Sequence, residues 1–151
     1  MLLACSPQAP AQNAPVENVG VDVHAPQTGL GQVPLTIKSK NGVHHFNVDV
    51  AATAEQQEKG LMFVKSLSGD RGMIFPYDPP QEVAFWMKNT LIPLDIVYIR
   101  SDDTIVRITH AEAMDLTPLP SGEPIAAVLE IRSGRAAELG IREGDIVEWK
   151  R

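Results

Sequence analysis

The sequence predicts a β-rich α+β fold: a single compact domain of mostly antiparallel short strands curled toward a barrel, with two short helices. Two observations carry this. Short runs of β-branched and apolar residues recur at close spacing through residues 33–151, punctuated by Gly, Pro, Asn and Asp, as in sheets built from hairpins. Only two segments carry helix start and stop chemistry. At 151 residues with 44% hydrophobic content, the chain can bury one core.

In chain order, residues 34–37 and 43–50 read as two strands joined about Asn41-Gly42, a dipeptide that favours the type I′ hairpin turn. Thr53-Ala54-Glu55-Gln56 is a capping box. The Thr53 hydroxyl accepts from the Gln56 amide while the Gln56 side chain reaches back. The helix it opens ends at Gly60. Residues 72–75 form a short apolar strand, and Pro79-Pro80 separates it from another at 82–87. Residues 94–100 and 104–110 make a hairpin about Asp102-Asp103, and 126–131 resume a strand. Ser133 is placed to cap a second helix that stops at Gly140, where glycine tolerates the left-handed conformation. Gly144-Asp145 turns into a last strand at 146–149.

Residues 1–32 read differently, as a lipobox-like start followed by a disordered tether rich in Pro, Ala and Gln. Met1-Leu2-Leu3-Ala4-Cys5 resembles the end of a bacterial lipoprotein signal peptide, although only four residues precede the cysteine and no long apolar region is present. Cys5 is the lipidation candidate. Residues 6–31 hold too little periodic apolar content to repay their ordering entropy. Membrane contact is expected only through such an anchor, because no apolar run reaches the roughly 18 residues needed to span. The expected location is exported, either periplasmic or membrane-anchored facing the periplasm.

Charge and cysteine usage narrow the function. The net charge is −6 and no run of Lys or Arg occurs, so the basic footprint that drives nucleic-acid binding is missing. A single cysteine leaves no pair for a disulfide or a zinc knuckle. His44 and His45 are adjacent on a strand and point to opposite faces. Met62, Met73 and Met87 read as core filler rather than as ligands to a soft metal ion. No cofactor is expected.

Residues 43–149 resemble the domain-of-unknown-function-192 family of bacteria and archaea, often exported. The matching pieces are Gly60-Leu61-Met62, Asp70-Arg71-Gly72-Met73, Phe85-Trp86-Met87-Lys88-Asn89-Thr90 with Pro93-Leu94-Asp95, and Gly134-Arg135-Ala136-Ala137 with Gly140-Ile141 and Gly144-Asp145. The resemblance implies a single β-rich domain and transfers no catalytic role.

The central motif supplies the candidate ligand-binding residues: Arg71, Trp86, Lys88, Asn89, Thr90 and Asp95. If residues 83–88 and 95–100 pair as a hairpin with Lys88 facing Asp95, Trp86 faces Val97 on the same side. An indole beside a cation and a carboxylate suits a small polar or sugar-like ligand. Arg71 adds an anion fork. The same residues also have structural readings: Lys88 and Asp95 closing a hairpin, Trp86 in the core, Asn89 at positive φ. Glu130 lies in a strand predicted to be buried, but a lone carboxylate supplies no acid–base pair. The expected function is an envelope-associated binding or interaction module for an unknown small polar ligand or an envelope protein. The alternative is a small hydrolase-like envelope enzyme using Asp95, Lys88 and Arg71.

Overall fold

The computed structural model describes residues 23–151, so Cys5 and the lipobox-like start lie outside the described residues. Nine strands and two helices follow in the order β1 (Gln32–Ser39), β2 (Gly42–Val50), α1 (Ala54–Lys59), β3 (Arg71–Gln81), β4 (Ala84–Phe85), β5 (Leu94–Ile99), β6 (Ile105–Ala111), β7 (Leu119–Pro120), β8 (Ile125–Arg132), α2 (Arg135–Leu139) and β9 (Ile146–Trp149). Seven strands form one sheet in the order β6-β5-β8-β3-β2-β1-β9, and β4 pairs with β7 in a small ribbon. The sheet curls into a half-barrel. Its two edge strands approach at one end, where Thr104 bridges Ile146 and Val147 donates to the Asp103 carbonyl at 2.9 Å.

The neighbours are antiparallel except β2 and β3, which run parallel. A parallel pair needs a crossover, and α1 with the loop after it provides one. The capping box forms as the sequence predicts: the Gln56 amide donates to Thr53 Oγ1 at 3.1 Å, and Gln56 Oε1 accepts from the Thr53 amide at 3.1 Å.

Two local expectations need correction. In the β1–β2 hairpin Ser39 pairs with Gly42, so the two loop residues are Lys40 and Asn41. Positive φ falls on Gly42 and on neither loop residue. A type I′ turn requires it at both central positions, so that turn type does not form. The second helix is capped by Gly134 in the left-handed conformation and not by Ser133.

The sheet is buried on both faces at its centre, which explains why β5 and β8 are nearly continuous apolar runs, each interrupted by one buried carboxylate, Asp95 and Glu130. One core lies inside the curl, where Leu35, Ile37, Val48, Ile74, Val97, Leu129 and Ile131 pack with Ala136 and Ile141 at α2. A second core lies on the outer face of β3, β5 and β8. There Met73, Phe75, Leu94, Ile96, Tyr98 and Val128 are covered by Leu61, Met87 and Ile125. Residues 23–31 run along this outer layer. Leu30 packs against it, and Gln27 Nε2 donates to the Gln56 and Gly60 carbonyls at 2.9 and 2.8 Å.

Candidate functional site

α1 stops at Gly60, whose φ of 48° releases the chain across the outer face of the sheet. Leu61 and Met62 then face the segment that follows β4. Between them opens a cleft of about 180 Å³. Its rim carries Glu58, Lys59, Trp86 and Lys88, its walls Met62, Phe75, Tyr77 and Phe85, and its deeper lining Thr90 and Glu130. Trp86 stays 49% exposed, and the Lys88 ammonium lies 5.2 Å from the centre of its ring.

Glu130 is the unusual residue. It sits in β8 opposite Met73 of β3 and Ile96 of β5, on the pleat face that Val128 gives to the outer core. An aliphatic side chain would be expected there. It is 5% exposed, and its carboxyl has no hydrogen-bond or ion-pair partner among the described residues. Burial pushes its pKa from 4.5 up to about 8, because an unpaired carboxylate is costly in a medium of low polarity. The acid is therefore mainly protonated at neutral pH. Tyr77 on the cleft wall is pushed up to about 12, first by burial and then by Glu130. Tyr98 is also raised, chiefly by burial with Glu130 adding, and its hydroxyl donates to the Leu119 carbonyl at 2.5 Å.

The six residues picked out by the central motif do not converge. Trp86, Lys88 and Thr90 line the cleft. Asn89 stands beside it in the left-handed conformation, φ 54°. Its carbonyl accepts from the Phe63 amide at 2.9 Å and its side-chain amide points to Met62 Sδ at 3.9 Å, so it ties the two cleft walls together. Asp95 alternates with Leu94 and Ile96 and faces the inner core. There its Oδ2 accepts from the Ala136 amide at 3.1 Å, capping α2 from a distant strand. His110 lies 3.8 Å from the other carboxylate oxygen and is itself held by Ser133 at 3.0 Å and Glu112 at 2.7 Å. Arg71 is taken up by Asp49 at 3.0 Å and Gln32 at 3.3 Å.

The hairpin between residues 83–88 and 95–100 does not exist. β5 has β6 on one side and β8 on the other, so both of its edges are occupied, and β4 pairs with β7. Lys88 therefore does not face Asp95, and Trp86 does not face Val97.

Sequence reasoning missed Met62, Phe75, Tyr77 and Phe85 as cleft residues, since apolar and aromatic side chains look like core. It noticed Glu130 but could not join it to the motif. The available signal was a carboxylate in mid-strand with apolar residues at i±1 and i−2, Val128-Leu129-Glu130-Ile131. Such a position is buried whichever face it takes.

No curated protein matches the chain. Two solved structures resemble it closely. One is a protein of unknown function from Novosphingobium aromaticivorans DSM 12444, 47% identical over 82% of this chain and 89% of that one, with a TM-score of 0.80. Another is a proposed transcription regulator from Sinorhizobium meliloti 1021, 34% identical over 82% of this chain and 97% of that one, with a TM-score of 0.79. The family model DUF192, described as Uncharacterized ACR, matches residues 35–149. With that match spanning most of the sequence, the chain belongs to the DUF192 family.

Proposed function

We propose that the chain is a non-catalytic binding module of the bacterial envelope that holds a small polar ligand in the cleft between α1 and the segment after β4. One observation carries this reading. A buried carboxyl without a partner among the described residues opens into a concave site whose rim presents Trp86 and Lys88. Buried polar groups normally find a partner within the fold, and a ligand is the partner the cleft can supply. The cleft is smaller than the roughly 300–1,000 Å³ that buries a drug-sized molecule, which favours a ligand of few atoms. The strong negative charge and the absence of a basic run argue against nucleic acid as the partner.

Envelope placement is supported by Leu3-Ala4-Cys5 and the Pro-rich arm. Mass measurement of the native protein tests it: an acyl mass on Cys5 supports the anchor, and a full-length chain without it counts against this part of the proposal. The hydrolase alternative built on Asp95, Lys88 and Arg71 lacks support from geometry, because only Lys88 reaches the cleft.

A thermal-shift screen of sugars, amino compounds, nucleotides and metal ions tests the binding reading. A ligand that binds only the folded state raises apparent stability by about 2.7 kcal/mol at a hundred times its Kd. A hit that disappears in Lys88→Gln and Glu130→Gln but persists in Asp95→Asn supports the cleft. A hit insensitive to both cleft variants places binding elsewhere.

A further inference from the structure

The chemistry of the cleft is polarised from bottom to top. At depth stands Glu130, 5% exposed and unpartnered among the described residues. The walls beside it carry the rings of Phe75, Tyr77 and Phe85. Aromatic faces are electronegative and attract cations, so an anionic group is disfavoured at this depth twice over. The rim has the opposite character. Lys88 projects from the segment after β4, exposed, over Trp86, with no carboxylate in ion-pair range among the described residues. Lys59 is partly engaged, donating to the Val23 carbonyl at 3.0 Å.

Resting on the reading of this cleft as a ligand site, we infer that its ligand is a small zwitterion, with a primary ammonium directed inward to Glu130 and an anionic group outward to Lys88. A primary ammonium offers three donors to the carboxylate and the surrounding acceptors, and a charge-assisted hydrogen bond is shorter and stronger than a neutral one. Binding ionises Glu130 and releases its proton to solvent. Among the described residues no cation pairs with Glu130, so the ammonium supplies the countercharge that lets it ionise there, and the empty site keeps it neutral by holding the proton.

The charged and titratable groups facing Glu130 are few. Glu58 and Lys59 come from α1, Tyr77 from β3, Lys88 from the segment after β4, and Tyr98 from β5. Arg107 of β6 acts on Tyr98. Both tyrosines titrate well above neutrality, so neither competes with the carboxyl for the proton lost near pH 8.

Isothermal titration of the full chain with ω-amino acids of three to six carbons, at pH 6, 7 and 8 in buffers of different ionisation enthalpy, tests the inference. With Glu130 titrating at about 8, the association constant of the best-fitting amino acid rises about tenfold from pH 6 to 7 and about fivefold from pH 7 to 8, with close to one proton released at the lower pH. The matching hydroxy acid and unsubstituted carboxylic acid bind at least about tenfold more weakly at pH 8. Lys88→Gln, an exposed change, weakens the amino acid but leaves the matching alkylamine unaffected. Glu130→Gln abolishes both the tight binding and the pH slope. If the hydroxy acid or carboxylic acid binds as well as the amino acid, or if affinity is flat with pH, the zwitterion inference is wrong while the cleft remains a ligand site. If neither these probes nor any compound in the thermal-shift screen binds, the inference and the binding reading fall together.

Discussion

Replacing Glu130 with glutamine is expected to change how stability depends on pH, and the size of the change follows from burial. The carboxyl titrates at about 8 in the folded chain against 4.5 for the ordinary group. Between those values the folded state holds a proton that the unfolded state has released. Stability from this residue is therefore complete below pH 4.5 and is lost progressively as pH rises to 8. Each pH unit in that window corresponds to about 1.4 kcal/mol, so about 3 kcal/mol is lost between pH 4.5 and 7. Glutamine has nearly the same shape and does not titrate. The difference in unfolding free energy, variant minus parent, should be nearly constant below pH 4.5, increase by about 3 kcal/mol by pH 7, and flatten above pH 8. For a chain of this size that corresponds to a melting-temperature gain of roughly 6–12 °C at pH 7 relative to acid. Urea unfolding followed by tryptophan fluorescence at pH 4.5, 6, 7 and 8.5 measures it. Taking the difference cancels the other carboxylates. Parallel pH profiles for parent and variant would refute the account of Glu130 as a buried acid that titrates well above the ordinary carboxylate range.

Asp95→Ala is expected to cost about 1–3 kcal/mol, because it strands the Ala136 amide that Asp95 accepts; thermal melts check the loss, and amide exchange should locate it at α2 while cleft binding is unchanged. Gly72→Ala should be more damaging. A Cβ there would lie 2.5 Å from the Glu130 carbonyl, so β3 and β8 must separate, and a melting temperature equal to the parent's would contradict the packing. Arg71→Ala removes an ion pair whose partners are 28% and 29% exposed, and about 1 kcal/mol at most is at stake; a large loss of ligand affinity would instead place Arg71 in the site. Thr53→Ala should cost about 1 kcal/mol through loss of the capping box, read from urea midpoints.

Much of the fold is legible because local chemistry and tertiary structure agree. Thr53 and Gln56 can form their reciprocal bonds within four residues, and Gly60 and Gly140 stop helices wherever those helices pack. The β5–β6 and β1–β2 hairpins are sequence neighbours. The central motif failed for the opposite reason. Residues 83–88 and 95–100 are also neighbours, which favours pairing them, but β8 competes for the β5 edge from much further along in sequence, 28 residues in the Ile99–Ala127 pair and 32 in the Val97–Leu129 pair. Nothing local reports that competition. The parallel β2–β3 pair is invisible for the same reason, since Val48 meets Gly72 across a crossover. At the site, Trp86, Lys88 and Thr90 were legible as a cluster within five residues. Asp95 was grouped with them by proximity in sequence, yet one step of strand alternation sends its side chain to the other face of the sheet. Glu130 joins the cluster only through the three-dimensional pairing of β8 with β3 and β5.

The central claim is that Glu130 forms the acidic floor of a ligand cleft. Carboxyl ¹³C resonance titration of Glu130, in the free protein and at saturation with the best-binding ω-amino acid, tests it most directly. The account predicts a midpoint near pH 8 in the free protein that drops by more than one unit when the ammonium is bound. A midpoint in the ordinary carboxylate range, or one near 8 that does not move when the amino acid binds, would contradict it.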